Sequence, residues 1–116
     1  QNQIQFDNYK KAPSQLGPYT THIWNDDLRK VMTTNTKMII INSPQNPTGA
    51  VMNEAEIKEI YDIAESFDIY LLSDEVYGRM VYQDENTQFY SPSVYDQCKE
   101  RTLLVHSFSK SYAMTG

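Results

Sequence analysis

Three polar side chains each stand just after a short apolar run of the sequence, and their types suit chemistry on an aromatic ring. They are Asn46, Asp74 and Lys110. A carboxylate held against a pyridine nitrogen keeps that nitrogen protonated, because the ion pair favours the charged form. A lysine amine can form a Schiff base with an aldehyde and, once released, can move protons. Each residue alone also has a simpler interpretation, since Asp and Asn are common in turns and most lysines are solvated.

Tyr77, Ser107 and Ser109 extend this set of groups. The phenol of Tyr77 and the amide of Asn46 can both hydrogen-bond a ring oxygen. The two serines precede Lys110 at a predicted helix start, where hydroxyl and backbone N–H groups suit a phosphate. A protonated ring of this kind withdraws electrons from a neighbouring carbanion. Together these groups are what pyridoxal 5′-phosphate requires.

The segments that carry these residues follow strand and helix patterns in turn. "KMIIIN" is a nearly continuous apolar run, typical of a strand covered on both faces, and "IYLLS" and "TLLVH" predict two further apolar strands. Between the first two runs, Asn53 and Glu56 resemble the capping box of a helix. Strand, helix and strand in this order predict an α/β layered sheet. If the strand ends gather on one edge, their polar residues line the crevice where open α/β sheets bind ligands.

The remaining segments carry weaker patterns. Residues 1–21 are polar and contain at most one short strand, near residues 4–6. "NDDLRKVM" predicts a helix whose two acids favour its N-terminus. Residues 80–95 are predicted to be irregular or hairpin-like, with tyrosines used in packing or at an interface. Glu75 and Trp24 are interpreted as structural residues.

The composition of the 116-residue chain excludes several classes of partner. A net charge of −5, with the acids scattered, argues against nucleic acid or an anionic membrane as the main partner. Cys98 is the single cysteine, so neither a disulfide nor a cysteine metal site is expected, and His22 and His106 have no metal-like partners. The longest aliphatic run, "MIII", is too short to span a bilayer, and no basic-then-apolar leader opens the chain. These absences predict a cytoplasmic protein without a bound metal.

Three sequence blocks resemble the signature blocks of the class I/II aminotransferases, the fold-type I pyridoxal-phosphate enzymes. They are "NSPQNPTG", "SDEVY" and "SFSKSYAMTG", in the order found in that family. Their spacing also resembles the family's, since Asp74 lies 28 residues after Asn46 (74 − 46) and Lys110 lies 36 after Asp74 (110 − 74). The resemblance extends over residues 26–116. The wording "SKSYAMTG" favours the aspartate or aromatic aminotransferase branch.

The resemblance implies a role for each residue that the three blocks carry. Lys110 would form the Schiff base with the cofactor and act as general acid and base, and Asp74 would pair with the pyridine nitrogen. Asn46 and Tyr77 would hold the phenolic oxygen of the ring. Ser107 would contact the cofactor phosphate, and Ser109 is a second candidate for that contact.

The resemblance also implies that residues 1–116 form only part of the mostly parallel, α/β/α-layered large domain. The family's glycine-rich phosphate loop, the arginine after the "MTG" block, the substrate-binding arginine and the small domain are expected to lie outside this chain. The complete protein would transfer an amino group between an amino acid and a 2-oxo acid, as a homodimer. The isolated chain is expected to bind pyridoxal phosphate weakly and to turn over nothing.

Two alternatives remain open from the sequence. A lyase or synthase of the same fold would share Lys110, Asp74 and Tyr77, so the visible blocks do not separate it from an aminotransferase. A non-catalytic domain that retains the fold would be expected to have lost the cofactor residues, and here they are intact.

Overall fold

The computed structural model describes residues 22–82 and 87–115, which form a three-stranded sheet with flanking helices. In chain order the elements are α1 (His22–Val31), β1 (Met38–Asn42), α2 (Glu54–Ser66), β2 (Tyr70–Asp74), β3 (Thr102–Val105) and α3 (Phe108–Ser111), with single 3₁₀ turns at Gly78–Met80 and Pro92–Val94. The strand predicted at residues 4–6 lies outside the described residues, as do the side chains of His22 and Trp24.

The sheet is parallel throughout, in the order β1-β2-β3. Asn42, the last residue of β1, lies opposite Asp74, and Asp74 lies opposite Val105 of β3. Because parallel strands end on the same edge of a sheet, the segments after all three strands emerge side by side. This arrangement confirms the predicted α/β sheet.

Helix α2 begins at the predicted capping box. The Asn53 side chain accepts a hydrogen bond from the Glu56 backbone at 3.0 Å, and the Glu56 carboxylate accepts one from the Asn53 backbone at 2.8 Å. These two bonds satisfy backbone donors that the first turn of any helix leaves without partners. The apolar face of α2 then packs against one face of the sheet. The buried core contains Ile39, Ile41, Ile57, Ile60, Tyr61, Ile63, Ala64, Ile69 and Leu71.

The other face of the sheet is open among the described residues, which differs from the expectation for "KMIIIN". Side chains alternate between the two faces of a strand, so Ile39 and Ile41 meet α2 while Ile40 points away from it. Ile40 is 68% exposed and Tyr70, on the same face, is 53% exposed. The continuous apolar run thus supplies two apolar faces, of which the described helices cover one.

Two weaker predictions are also resolved. Helix α1 begins at His22, so Asp26 and Asp27 lie in its interior rather than in its first turn. Asp27 instead pairs with Lys30 at 3.0 Å on the helix surface. The described part of residues 80–95 is irregular apart from the 3₁₀ turns, and it contains no strand.

Candidate active site

Asn42 joins the ends of β1 and β2 at the carboxyl edge of the sheet. Its side-chain nitrogen donates to the backbone oxygen of Asp74 at 3.3 Å, and its side-chain oxygen accepts from the backbone nitrogen of Asn46 at 3.2 Å. The turn that carries Asn46 is therefore tied to the strand that carries Asp74. The sequence analysis missed this residue, although a polar side chain at the end of an apolar run, four positions before Asn-Pro, was an available signal.

The turn after β1 presents Asn46 to solvent. Gly49 has a φ of +72°, the left-handed conformation that favours glycine, and its backbone nitrogen donates to the Gln45 oxygen at 2.8 Å. Gln45 donates in turn to the backbone oxygen of Ala50 at 2.9 Å. The turn is thus closed by its own backbone, and Asn46 stands exposed on it. Gly49 therefore shapes the turn that presents Asn46.

Asn46 and Tyr77 meet across the strand ends. The Asn46 amide nitrogen donates to the Tyr77 phenol oxygen at 3.3 Å. Tyr77 follows β2 in a tight turn, closed by a bond from the Gly78 nitrogen to the Glu75 oxygen at 2.9 Å. The Phe89 ring packs so closely on Gly78 that an added Cβ would lie 3.0 Å from it. Glycine at position 78 therefore lets Phe89 support the Tyr77 turn.

The carboxylate of Asp74 lies half-buried at the end of β2. One oxygen, Oδ1, accepts a hydrogen bond from the Val76 backbone at 3.2 Å, which is the turn-capping role of many Asp residues. Within residues 22–82 and 87–115, no lysine, arginine or histidine forms an ion pair with this carboxylate. Asp74 therefore caps a turn and also offers an unpaired negative charge at the sheet edge.

Lys110 lies on the short helix α3, just beyond β3. Ser107 begins this helix, and its hydroxyl oxygen accepts from the Ser109 backbone nitrogen at 3.0 Å. Both serines are half-buried, whereas Lys110 is exposed. In the described part of the chain the Lys110 amine makes neither a hydrogen bond nor an ion pair. The structure thus places the lysine at the same sheet edge as Asp74, but without a hydrogen bond or ion pair to Asn46, Tyr77 or Asp74.

Two contacts missed by the sequence analysis join the β2–Tyr77 segment to the β3–Lys110 segment. Glu75, only 3% exposed, lies with its Oε2 3.4 Å from His106 Nε2. Arg79 donates from Nη1 to the phenol oxygen of Tyr112, and its guanidinium carbon lies 5.4 Å from the centre of that ring. Neither contact has a local signal in the sequence, because the partners are more than thirty positions apart.

A cavity of about 490 Å³ opens beside the Asn46–Tyr77 contact. Its walls include those two residues and the apolar side chains of Pro44, Val51 and Met80. Asp74 and Lys110 do not line this cavity. The cavity therefore borders the candidate site without containing its charged groups.

At the opposite end of β3, a buried acid organises the chain that leads into the strand. Burial raises the pKa of Asp96, but backbone N–H groups of Arg101, Glu100 and Thr102 donate to its carboxylate and bring the pKa down to about 2. The three bonds measure 3.0 Å, 3.0 Å and 2.7 Å respectively. Asp96 thereby fixes the start of the strand that ends near Lys110.

Neither a membrane span nor a metal site is found in the part of the chain that the structure describes. None of its helices is both long enough and apolar enough to cross a membrane. No group of three or more His, Cys, Asp or Glu side chains is arranged there to hold a metal ion.

The chain belongs to the aminotransferase class I and II family, whose model matches residues 3–116. Enzymes of this family depend on pyridoxal 5′-phosphate. The chain is 46% identical over 91 residues to an aspartate aminotransferase of Pyrococcus abyssi and 45% identical over 91 residues to aromatic-amino-acid aminotransferase 2 of Thermococcus litoralis. Each alignment includes 78% of this chain and 23% of the relative. The chain therefore spans about a quarter of the length of these relatives.

Solved structures of aminotransferases share the fold. An aromatic aminotransferase from Pyrococcus horikoshii OT3 superposes with a TM-score of 0.72 at 44% identity, over 78% of this chain and 24% of that one. A double mutant of the Thermus thermophilus aspartate aminotransferase gives a TM-score of 0.72 at 36% identity, over 79% and 23%. The resemblance to the aspartate and aromatic branch is confirmed, as is the α/β fold of a large-domain segment.

Proposed function

We propose that this chain supplies the lysine-bearing part of the cofactor site of an aminotransferase that moves an amino group between an amino acid and a 2-oxo acid. The observation that carries the proposal is the 3.3 Å contact between Asn46 and Tyr77, at the sheet edge where Asp74 also ends its strand. Lys110 follows the neighbouring strand at that edge. The position of these residues after parallel strands that end at one edge of the sheet supports the proposal.

The donor set fits pyridoxal phosphate on the chemistry of its members. Asp74 provides a half-buried carboxylate with no cation paired to it in the described residues, which suits a protonated ring nitrogen. Asn46 and Tyr77 converge closely enough to share one ring oxygen between an amide and a phenol. Lys110 offers an exposed amine without a competing partner in the described chain.

Each of these residues would act on a particular group of the cofactor or the substrate. When bound, pyridoxal phosphate supplies an aldehyde that condenses with amines and a ring that withdraws electrons from an adjacent carbanion. The Asp74 carboxylate would hold a proton on the ring nitrogen, because the negative charge favours the protonated form. Lys110 Nζ would bond to the aldehyde carbon, whose oxygen leaves as water, and, when free, the amine would carry a proton to and from the substrate. The hydroxyl groups of Ser107 and Ser109 are the candidates in this chain for the phosphate.

The nature of the substrates is inferred from the relatives named above. Their names specify aspartate and aromatic amino acids, which supports an acidic or aromatic amino acid as the amino donor for the complete protein. A homodimer in the cytoplasm is part of the same proposal and rests on the family resemblance alone. A lyase or synthase of the same fold predicts instead that the complete protein releases ammonia without an amino acceptor, which product analysis would reveal.

Labelling at Lys110 tests the proposal directly. The purified protein is mixed with pyridoxal phosphate, its visible spectrum is recorded, and borohydride reduction is followed by peptide mapping. We expect a reduced adduct on Lys110 that is lost in Lys110→Ala and retained in Lys37→Ala, which removes an exposed lysine at the other end of the sheet. Labelling spread over surface lysines in both variants would contradict the proposal.

A further inference from the structure

The two contacts between the β2–Tyr77 and β3–Lys110 segments bracket the candidate site residues. Glu75 and Arg79 lie two positions before and after Tyr77, while their partners His106 and Tyr112 stand on either side of Lys110. The first segment is thus joined to the second both before and after helix α3. We call these two contacts the α3 clamps.

The first clamp is built on a buried carboxylate. Glu75 is 3% exposed, and its two oxygens have different partners. Oε1 accepts from the Ser91 hydroxyl at 2.6 Å, and Oε2 faces His106 Nε2 at 3.4 Å. The Glu75 backbone nitrogen also donates to the Val105 oxygen at 2.9 Å, next to His106 in the chain. Burying a carboxylate costs free energy unless it is well bonded, so the Ser91 hydrogen bond and the facing His106 keep the Glu75 side chain in place beside the end of β3.

The second clamp holds the far side of α3. Arg79 reaches Tyr112 both by a hydrogen bond to its phenol oxygen and by stacking of the guanidinium 5.4 Å from the ring centre. The Tyr112 backbone nitrogen donates to Phe108 at 3.1 Å, and its ring lies 5.6 Å from the Phe108 ring. Arg79 therefore contacts Tyr112, the residue at which the helix that carries Lys110 ends.

Helix α3 needs such external support. It has four residues, and none of them is buried. Isolated helical turns of this length are unstable in water, because forming the first turn fixes several residues for a single hydrogen bond. A reacting group that is displaced by about 1 Å loses much of its effectiveness. The clamps are the described side-chain contacts that relate α3 to the Tyr77 turn.

We propose that Glu75 and Arg79, through His106 and Tyr112, are positioning residues that hold the Lys110 amine at its working distance from the Asp74–Tyr77 edge. This inference rests on the proposed function, because it assigns the clamps to the placement of the cofactor lysine. The Lys110 amine makes neither a hydrogen bond nor an ion pair in the described chain, so its place is set by the backbone that the clamps hold.

The test uses the complete protein that contains this chain and compares Glu75→Gln, Tyr112→Phe, Arg79→Lys and Arg79→Ala. Three quantities are measured: the dissociation constant of pyridoxal phosphate from its absorbance, the rate of reductive labelling at Lys110, and the unfolding temperature of the cofactor-free protein. Weakening one such polar contact is expected to raise the dissociation constant about threefold to tenfold and to slow labelling by a similar factor. Arg79→Lys, which keeps a cation beside the ring, should lie nearer the wild type than Arg79→Ala.

Matched controls separate positioning from general stability. Asp62→Asn breaks the Lys58–Asp62 pair on the surface of α2, and Tyr95→Phe removes a phenol that bonds Glu54 at 3.4 Å. We expect the unfolding temperatures of Tyr112→Phe and Arg79→Lys to match those of these controls while their labelling rates fall. The exposed Arg79–Tyr112 clamp keeps the test decisive even if replacement of the buried Glu75 prevents folding.

The outcomes distinguish the two proposals. If Lys110→Ala loses its labelling but every clamp variant labels and binds like the controls, the positioning inference is overturned and the proposed function stands. A fall in unfolding temperature that matches the fall in affinity across all clamp variants would likewise overturn it, in favour of a purely structural role. If the Lys110→Ala variant takes up as much label in total as the wild type, the proposed function is itself wrong, and the inference fails with it.

Discussion

Individual residues at both ends of β3 hold the Lys110 segment, and Asp96 does so at the start of the strand. Its carboxylate accepts three backbone N–H groups in succession, from Glu100, Arg101 and Thr102. Such a buried acceptor matters because its removal takes from these three N–H groups the charged acceptor that they use in the folded protein. The residue carries no chemistry at the candidate site, yet the strand that leads to Lys110 begins from it.

Replacing Asp96 is expected to destabilise the protein in a pH-dependent way. Asp96→Ala should lower the free energy of unfolding by roughly 2 kcal/mol at neutral pH, because three backbone donors lose a charged acceptor. The pKa of Asp96 in the folded protein, about 2, is below its ordinary value of 3.8, so the carboxylate stabilises the fold above about pH 4. That contribution disappears as the pH falls from about 4 to 2. Urea unfolding across this range should show a smaller loss of stability for Asp96→Ala than for the wild type, and equal losses would contradict the assignment.

At the scale of elements, the sequence predicted what depends on local pattern. The three strands and α2 were predicted because apolar runs and a capping box are signals carried by neighbouring residues. The start of α1 was placed too late, since Asp26 and Asp27 suggested a helix N-terminus but lie inside the helix.

Features that depend on distant partners could not be read from the sequence. Asn42 bonds across 32 positions, and the α3 clamps join segments that only the parallel sheet brings together. The family resemblance assigned Asn46 and Tyr77 to one ring oxygen, and the two side chains lie 3.3 Å apart in the structure. The open face of the sheet was not anticipated, since an apolar run is the same whether or not its second face is covered.

Helix α2 should depend measurably on its cap. Asn53→Ala removes the side-chain acceptor of the Glu56 backbone N–H and is expected to cost about 1 kcal/mol of stability. Chemical unfolding followed by circular dichroism measures this cost. Asn35→Ala, in the exposed turn before β1, is the matched control and should change stability little. A cost at position 53 no larger than that of the control would show that the capping box is unimportant to the fold.

At the scale of the whole molecule, the described chain leaves an apolar sheet face and two strand edges unpaired. The exposed apolar residues on that face are Met38, Ile40, Tyr70, Leu103 and Val105. Exposed apolar patches and free strand edges both favour association with other chains. The chain spans about a quarter of the length of its relatives, so in a longer protein other segments have the opportunity to cover this face.

The 116-residue chain alone is therefore expected to self-associate, bind a hydrophobic dye and show no transamination. Ile40→Lys places a charge in the middle of the open face and should reduce both association and dye binding, whereas Lys37→Ala, at the border of β1, should not. Analytical ultracentrifugation and dye fluorescence measure the two effects. A monomeric chain without dye binding, or one that turns over substrate, would contradict the expectation.

The positions of Asn46 and Tyr77 in the sequence also determine the order in which the residues of the site are synthesised. A ribosome completes β1, α2, β2 and Tyr77 before it reaches Lys110, which comes 33 positions later (110 − 77). The growing chain therefore contains both residues of the Asn46–Tyr77 contact, as well as Asn42 and Asp74, before Lys110 has been synthesised. The lysine is the last of these groups to be made, and it joins a framework whose other members are already present.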